Sequence, residues 1–237
     1  MDADHGLAIL ADGMGGYNAG EIASHMAAEF IRAELGRWLA QTAHQANVRE
    51  VRRAMEICVG NANRAVFNAA NADAQYAGMG TTLVVAAFQD HRLVLGHIGD
   101  SRCYRLRGQQ LSQLTRDHSL LQEQIEAGLI TPEQAAVSAQ RNLVTRALGV
   151  EDAVLLELSD HRVAPGDCYL LCSDGLNDMV DDEGIAAILQ MPAPLEERAA
   201  RLIDTANANG GRDNVTVVLV EAGASGRKGL ISRWLGQ

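Results

Sequence analysis

Apolar positions along the chain recur with two different periods. Residues 6–11 (GLAILA) form a short apolar run that stops at Asp12, and the glycine-dense turn DGMGGYNAG follows. From Glu21 the spacing becomes helical: Ile22, Met26 and Phe30, then Ile31, Leu35 and Trp38, mark one apolar face. A second helix is predicted over about 48–72, with Val51, Met55, Val59, Ala62 and Val66 on its buried side. The pattern then shortens to strand length. Runs at 81–88 (TTLVVAAF), 93–98 (LVLGHI) and 102–107 are punctuated by Gln89-Asp90 and Gly99-Asp100, as in a meander. Residues 119 to about 149 are polar, helix-prone and Gln-rich, and read as a mobile insertion into the strand series. Strand character resumes at 154–158 and 167–172. Helices are predicted at 181–190 and 195–208, and a closing strand at 214–221 (NVTVVLVE).

Strands and amphipathic helices therefore arrive in clusters rather than in strict alternation. That argues against a parallel βαβ sheet. It predicts an α+β fold in which antiparallel sheets pack face to face with helices outside. Length supports one large domain or two small ones, with enough chain for a two-layer core. Aromatics make up only 4% of the residues, so the core must be aliphatic and Ala-rich.

A formal charge of −10 makes the chain a poor binder of a nucleic-acid backbone, and asks whether some carboxylates surround a cation. Cys58, Cys103, Cys168 and Cys172 form no CxxC pair. Positions 168 and 172 on one strand would lie about 13 Å apart, too far to bridge. All four are expected to be buried free thiols, which suits a reducing cytosol and a cytoplasmic protein. Asp2 and Asp4 stand where a signal peptide would be basic, and no apolar stretch reaches membrane-spanning length.

Four aspartates share one local setting. Asp12 follows LAILA, Asp100 follows LVLGHIG, Asp174 follows YLLCS, and Asp213 precedes NVTVVLVE. Each lies at the edge of a predicted strand, where side chains are held rigidly at a sheet rim. Clustered carboxylates cannot stay ionised together without a compensating charge. Hard divalent cations such as Mg²⁺ or Mn²⁺ supply it. The rival explanation is that Asp-Gly is turn chemistry alone. A nucleotide-cradling loop is a poor fit, because GMGGYNAG matches neither GxGxxG nor GxxxxGK[ST] and carries no Lys.

Seven segments together resemble the metal-dependent serine/threonine protein phosphatases of the type 2C class, in their compact bacterial form. In order they are ADGMGG (11–16), GMGTTL (78–83), GHIGDSRCYRLR (96–107), LTRDHSL (114–120), RNLVTRALG (141–149), LLCSDGL (170–176) and GGRDNVTVV (210–218). Each is weak alone, but seven in order across nearly the whole chain are specific. The resemblance implies a sandwich of two antiparallel sheets flanked by helix pairs, spanning 1–222, with a flap at about 119–145. It implies that Asp12 bridges two Mn²⁺ or Mg²⁺ ions and that the Gly13 carbonyl binds one of them. Asp174 and Asp213 would complete the second metal, and Asp117 with Asp174 would hold a third, weaker one. Asp100 and Asn214 would support these ligands from behind, and His118 would make a structural hydrogen bond. The implied chemistry is attack on phosphorus by a hydroxide shared between two metals, with Asp12, Asp174 and Asp213 as the catalytic set. The implied substrates are phosphoserine and phosphothreonine proteins, dephosphorylated by a monomer that opposes a bacterial kinase. The alternative is a phosphatase-like binding module that has lost catalysis.

Several positions depart from the family pattern. Met14 stands where eukaryotic relatives carry a His, so the leaving oxygen would take its proton from a metal-bound water. Ser138-Ala139-Gln140 replaces a His-Pro in the flap. The usual opening strand with Arg-x-x-Asn-x-Asp has no counterpart before Asp12. The expectation is therefore that the natural chain is longer, that the second metal is held weakly, and that a sheet edge lacks its neighbour. Beyond a short linker from about 223, Arg227, Lys228 and Arg233 interleave with Leu230, Ile231, Trp234 and Leu235. This predicts a small basic amphipathic tail that could tether the protein.

Overall fold

The computed structural model describes residues 2–235 apart from 3, 17, 43–45, 137, 139–142 and 224–229, with the backbone alone at 136 and along 230–235. The first sheet has the order β1-β4-β5-β8, formed by β1 (Leu7–Leu10), β4 (Leu83–Gln89), β5 (Arg92–Ile98) and β8 (Glu157–Arg162). The second runs β11-β10-β9-β6-β7. Its strands are β6 (Arg102–Arg107), β7 (Gln110–Gln113), β9 (Cys168–Cys172), β10 (Val217–Ala222) and β11 (Leu230–Leu235). Every pairing in both sheets is antiparallel. A two-residue pair, β2 (Gly13–Met14) with β3 (Gly80–Thr81), stands apart from them.

Strand alternation explains the layering. Along β4, Val84, Ala86 and Phe88 point to one face, and meet Tyr169, Leu171, Val218 and Val220 of the second sheet. Leu83, Val85 and Ala87 point to the other, where α1 (Ala19–Thr42) and α2 (Val48–Ala72) cover them with Ala23, Ile31, Leu35, Met55 and Val59. The second sheet turns Leu170, Cys172 and Leu219 outward, onto α6 (Asp182–Leu189) and α7 (Leu195–Ala208) through Ile185, Leu189, Leu202 and Ala206. The result is the expected helix–sheet–sheet–helix sandwich. A capping box starts α2: Asn47 accepts from the Glu50 N–H while Glu50 accepts from the Asn47 N–H. All four cysteines are free and buried.

The structure differs from the sequence-based elements in several places. Strand β8 lies at Glu157–Arg162, not 154–158, because the polar stretch ELSDHR pairs with β5 while Val154, Leu156 and Leu158 lie against the helical layer. The short polar edge strand β7 was not expected. Strand β10 starts at Val217, three residues late. Before it, Ser173 replaces ladder bonds: its N–H donates to the Thr216 carbonyl, and its Oγ accepts from the Thr216 N–H. Residues 230–235, expected as part of a tail beyond the domain, instead lie backbone-paired to β10. Within the insertion the described residues form α3 (Leu120–Glu126), capped by Ser119, and α4 (Pro132–Ala136). Of the flap positions singled out above, Ala139 and Gln140 fall outside the described residues, as do Arg141 and Asn142.

Candidate metal centre

Asp12 leaves the end of β1 and is pinned by two threonines. Its N–H donates to Thr82 Oγ1 at 3.1 Å, and its carbonyl accepts from the Thr82 N–H and the Thr81 hydroxyl, both at 2.8 Å. Thr82 Oγ1 also lies 2.7 Å from Ser101 Oγ, which ties this corner to the Gly99–Ser101 turn. Gly99 has φ +98°, and a Cβ there would stand 2.7 Å from Thr82. Only glycine meets both demands, and the turn sets Asp100 beside Asp12. Gly13 is equally confined: a Cβ would sit 1.9 Å from the Gly20 carbonyl oxygen at the start of α1.

Asp174 opens the four-residue helix α5 (Asp174–Asn177), an element the sequence did not reveal. Its neighbour Gly175 packs on the Asn214 backbone, and Ser173 Oγ donates to the Asn214 carbonyl at 3.1 Å. These contacts bring the β9 end to the segment before β10, so Asp174 meets Asp213. Asp213 in turn accepts from the Asn214 N–H at 2.7 Å. Three aspartates that are far apart in the chain thus face one another, as the strand-edge pattern suggested.

Their electrostatics are those of a site short of positive charge. Burial, reinforced by the negative charges of Asp174, Asp213 and Asp100, pushes Asp12 up to about 7. Asp100, the fourth of the strand-edge aspartates, is coupled to the same cluster. Burial and then Asp174 push it up to about 7, against opposing help from its own backbone N–H and from Arg102. Asp174 is raised by burial, Asp213 and Asp178, while the Gly175 N–H and a hydrogen bond shared with Asp12 work the other way. Asp174 Oδ1 is buried and has no hydrogen-bond partner. An oxygen-only set of carboxylates with an orphaned buried oxygen and a close-packed glycine carbonyl fits a hard divalent cation such as Mn²⁺ or Mg²⁺.

Asp117 lies across a cavity of about 390 Å³ whose lining includes Asp100, Arg102, Asp117, Asp174 and Asp178, with α3 and α4 on its far side. Its two oxygens take three bonds from Arg102, at 3.0, 3.0 and 2.7 Å, and one from Gln113 at 2.9 Å. Arg102, inside the quoted motif GDSR, was not singled out from sequence. Neither was Asp178, although it lies one helical turn after Asp174, a spacing that signals a shared face.

His97, His118 and Glu157 form a second group of donors, with ligand atoms within 4.8 Å of one another. Their bonds are already committed internally. His118 Nδ1 accepts from the Gly99 N–H at 3.1 Å, so its proton is on Nε2, 3.1 Å from Glu157. His97 Nε2 lies 2.7 Å from the Arg116 carbonyl, and the two rings stack at 4.7 Å. Burial lowers both imidazoles. The group braces the Gly99–Asp100 turn from behind, in line with the structural hydrogen bond expected of His118. Asp2 pairs with His5 at 2.8 Å, in a turn that its own backbone closes on Leu7.

The sequence and the fold match proteins already known. The protein phosphatase 2C family profile matches residues 2–219. This chain belongs to the protein phosphatase 2C family. Protein phosphatase PhpP of Streptococcus pneumoniae serotype 2 is 40% identical over 215 residues, which span 90% of this chain and 85% of PhpP. The crystal structure of the Mycobacterium tuberculosis serine/threonine phosphatase PstP/Ppp superposes with a TM-score of 0.81 at 40% identity, covering 92% of this chain and 88% of that one. The catalytic domain of PstP, solved in complex with two manganese ions, gives 0.78 at 40% identity over 91% and 86% of the two chains.

Proposed function

We propose that this member of the family hydrolyses phosphoserine and phosphothreonine on proteins at a Mn²⁺- or Mg²⁺-dependent centre built on Asp12, Asp174 and Asp213. The observation that carries this is the mutual repulsion of these carboxylates around the unpartnered Asp174 Oδ1. Manganese bound to the related PstP domain supports the choice of ion. When bound, the ions supply the positive charge the aspartates lack and the Lewis acidity that polarises a phosphoryl group and water.

Asp12 and the Gly13 carbonyl would hold one ion, Asp12 with Asp174 and Asp213 the other, and Asp117 with Asp174 a weaker third. Asp100 and Asn214 act from behind. Asp100 presses its charge on Asp174, and the Asn214 backbone fixes both Gly175 and Asp213. The Ser/Thr oxygen needs a proton as it leaves. Met14 cannot give one, so water must. The Thr81, Thr82 and Ser101 hydroxyls keep Asp12 and the Asp100 turn in fixed relation throughout. No helix among the described residues is long and apolar enough to cross a membrane. The proposal extends to a monomer in the cytoplasm that opposes a serine/threonine kinase, with residues 1–222 as the catalytic unit and about 119–145 as its flap. Hydrolysis of a phosphothreonine peptide with and without Mn²⁺ tests it. Turnover that persists in excess chelator contradicts it.

A further inference from the structure

Two depressions lined by described residues differ in charge. The cavity over Asp174 carries Asp100, Asp117, Asp174 and Asp178 against one cation, Arg102. The second is a groove of about 680 Å³, lined by Met14, Arg146, Val150, Glu151, Val154 and Leu155 among others. Among its described lining residues one cation balances one anion, and most of the rest are apolar. One end of the groove is formed by Met14, two residues beyond Asp12 on the short strand β2.

The wall of this groove is built to stay in place. Thr81 and Leu148 exchange two backbone bonds at 2.9 and 2.8 Å, joining the loop to β3. Asn63, buried on α2, accepts from the Gly149 N–H at 2.7 Å and donates to the Glu151 carbonyl at 2.9 Å. Gly149 has φ +89°, and a Cβ there would press on Val66 at 2.4 Å. A Cβ on Gly80 would lie 2.8 Å from Val150 and 3.6 Å from Met14, so the groove floor is closely packed. Despite this anchoring, Val150 is 51% exposed and Leu155 70% exposed. Large apolar side chains on a fixed wall beside a catalytic centre are an unfilled contact.

Resting on the phosphatase reading above, we propose that this groove seats the substrate polypeptide next to its phosphorylated residue and selects an apolar side chain there. Charge decides between the two depressions. The first meets an apolar segment with its carboxylates and Arg102, whereas the second, with Arg146 and Glu151 in balance, offers it Val150, Val154 and Leu155. Val150 and Leu155 then supply specificity that p-nitrophenyl phosphate, which has no flanking chain, cannot use. The substrates implied are proteins phosphorylated beside an aliphatic residue, not within an acidic run.

The test compares kcat/KM for phosphothreonine peptides in which one Leu, Ser or Asp is placed at successive positions on either side of the phosphate. For the unaltered enzyme, Leu at one of these positions should raise kcat/KM about tenfold over Ser, chiefly through KM, as partial burial of one aliphatic side chain allows. The variant Val150→Ser/Leu155→Ser should lose that preference and keep its rate on p-nitrophenyl phosphate. Because the preference is a ratio within one protein, a general loss of activity cancels from it. No preference in the unaltered enzyme, or an undiminished one in the variant, overturns the proposal. If the unaltered enzyme hydrolyses neither peptides nor p-nitrophenyl phosphate with Mn²⁺, the phosphatase reading itself fails, which is a different result.

Discussion

Gly175 and Asn214 touch through their backbones: a Cβ on Gly175 would come within 2.3 Å of the Asn214 carbonyl oxygen. That contact is what sets Asp174 against Asp213. Gly175→Ala must therefore push the β9 end away from the segment before β10. The expected cost is about 1–3 kcal/mol of stability, as for other overpacked sites, together with a large loss of turnover. Thermal unfolding and peptide hydrolysis of the variant check both, and a fully active Gly175→Ala protein would show that the spacing does not matter.

Asp174→Asn separates function from stability. It removes one charge that Asp213 and Asp178 oppose and that in turn raises Asp12 and Asp100. Metal-free protein should become more stable, and turnover should fall by more than about 100-fold, beyond the loss typical of merely supporting groups around a metal. Melting curves in chelator and initial rates in Mn²⁺ give the two halves. A variant that is less stable without metal would mean that the carboxylates are not in conflict.

The raised aspartates predict an unusual pH dependence without metal. Asp12 and Asp100 titrate near 7 in the folded chain, against an ordinary value of 3.8. The folded state therefore holds more protons than the unfolded state between those values. The contribution of these groups is fully present below about pH 4 and is lost as pH rises through about 7. In chelator, urea midpoints should fall between pH 5 and 7.5 relative to the same protein in Mn²⁺, where the gradient should flatten. Parallel curves with and without Mn²⁺ would contradict the assignment.

Asp117→Ala should slow turnover while leaving two ions bound per chain, since Asp12, Asp174 and Asp213 remain. It also strands Arg102, which gives Asp117 three of its bonds. Asp117→Asn, which keeps acceptor capacity for Arg102, distinguishes lost metal binding from lost support. Calorimetric counting of Mn²⁺ decides the matter: emptying of the paired sites in either variant would move Asp117 out of the third-site role.

Most of the architecture could be read from periodicity, because burial imposes it directly. Helix α2 was legible because one apolar face runs its whole length. The strand-edge aspartates were legible for a similar reason, as Asp12, Asp100 and Asp174 each interrupt an otherwise apolar run. What escaped depends on contacts between distant segments. Strand β8 is polar and is set by pairing with β5, not by its own composition. Helix α5 is four residues long, below any period. Arg102 acquires its meaning from Asp117, fifteen residues away, and the groove at Val150 and Leu155 exists only because Asn63 and Thr81 hold that loop in place.

We assign phosphate ester hydrolysis in this protein to divalent cations held by the clustered aspartates. Its most direct measurement is release of inorganic phosphate from a phosphothreonine peptide, assayed in Mn²⁺, in excess chelator, and in chelator followed by added Mn²⁺. The account predicts turnover in the first, none in the second and recovery in the third, with Asp174→Asn inactive throughout. Undiminished release in chelator, or an Asp174→Asn protein as active as the original, would contradict it.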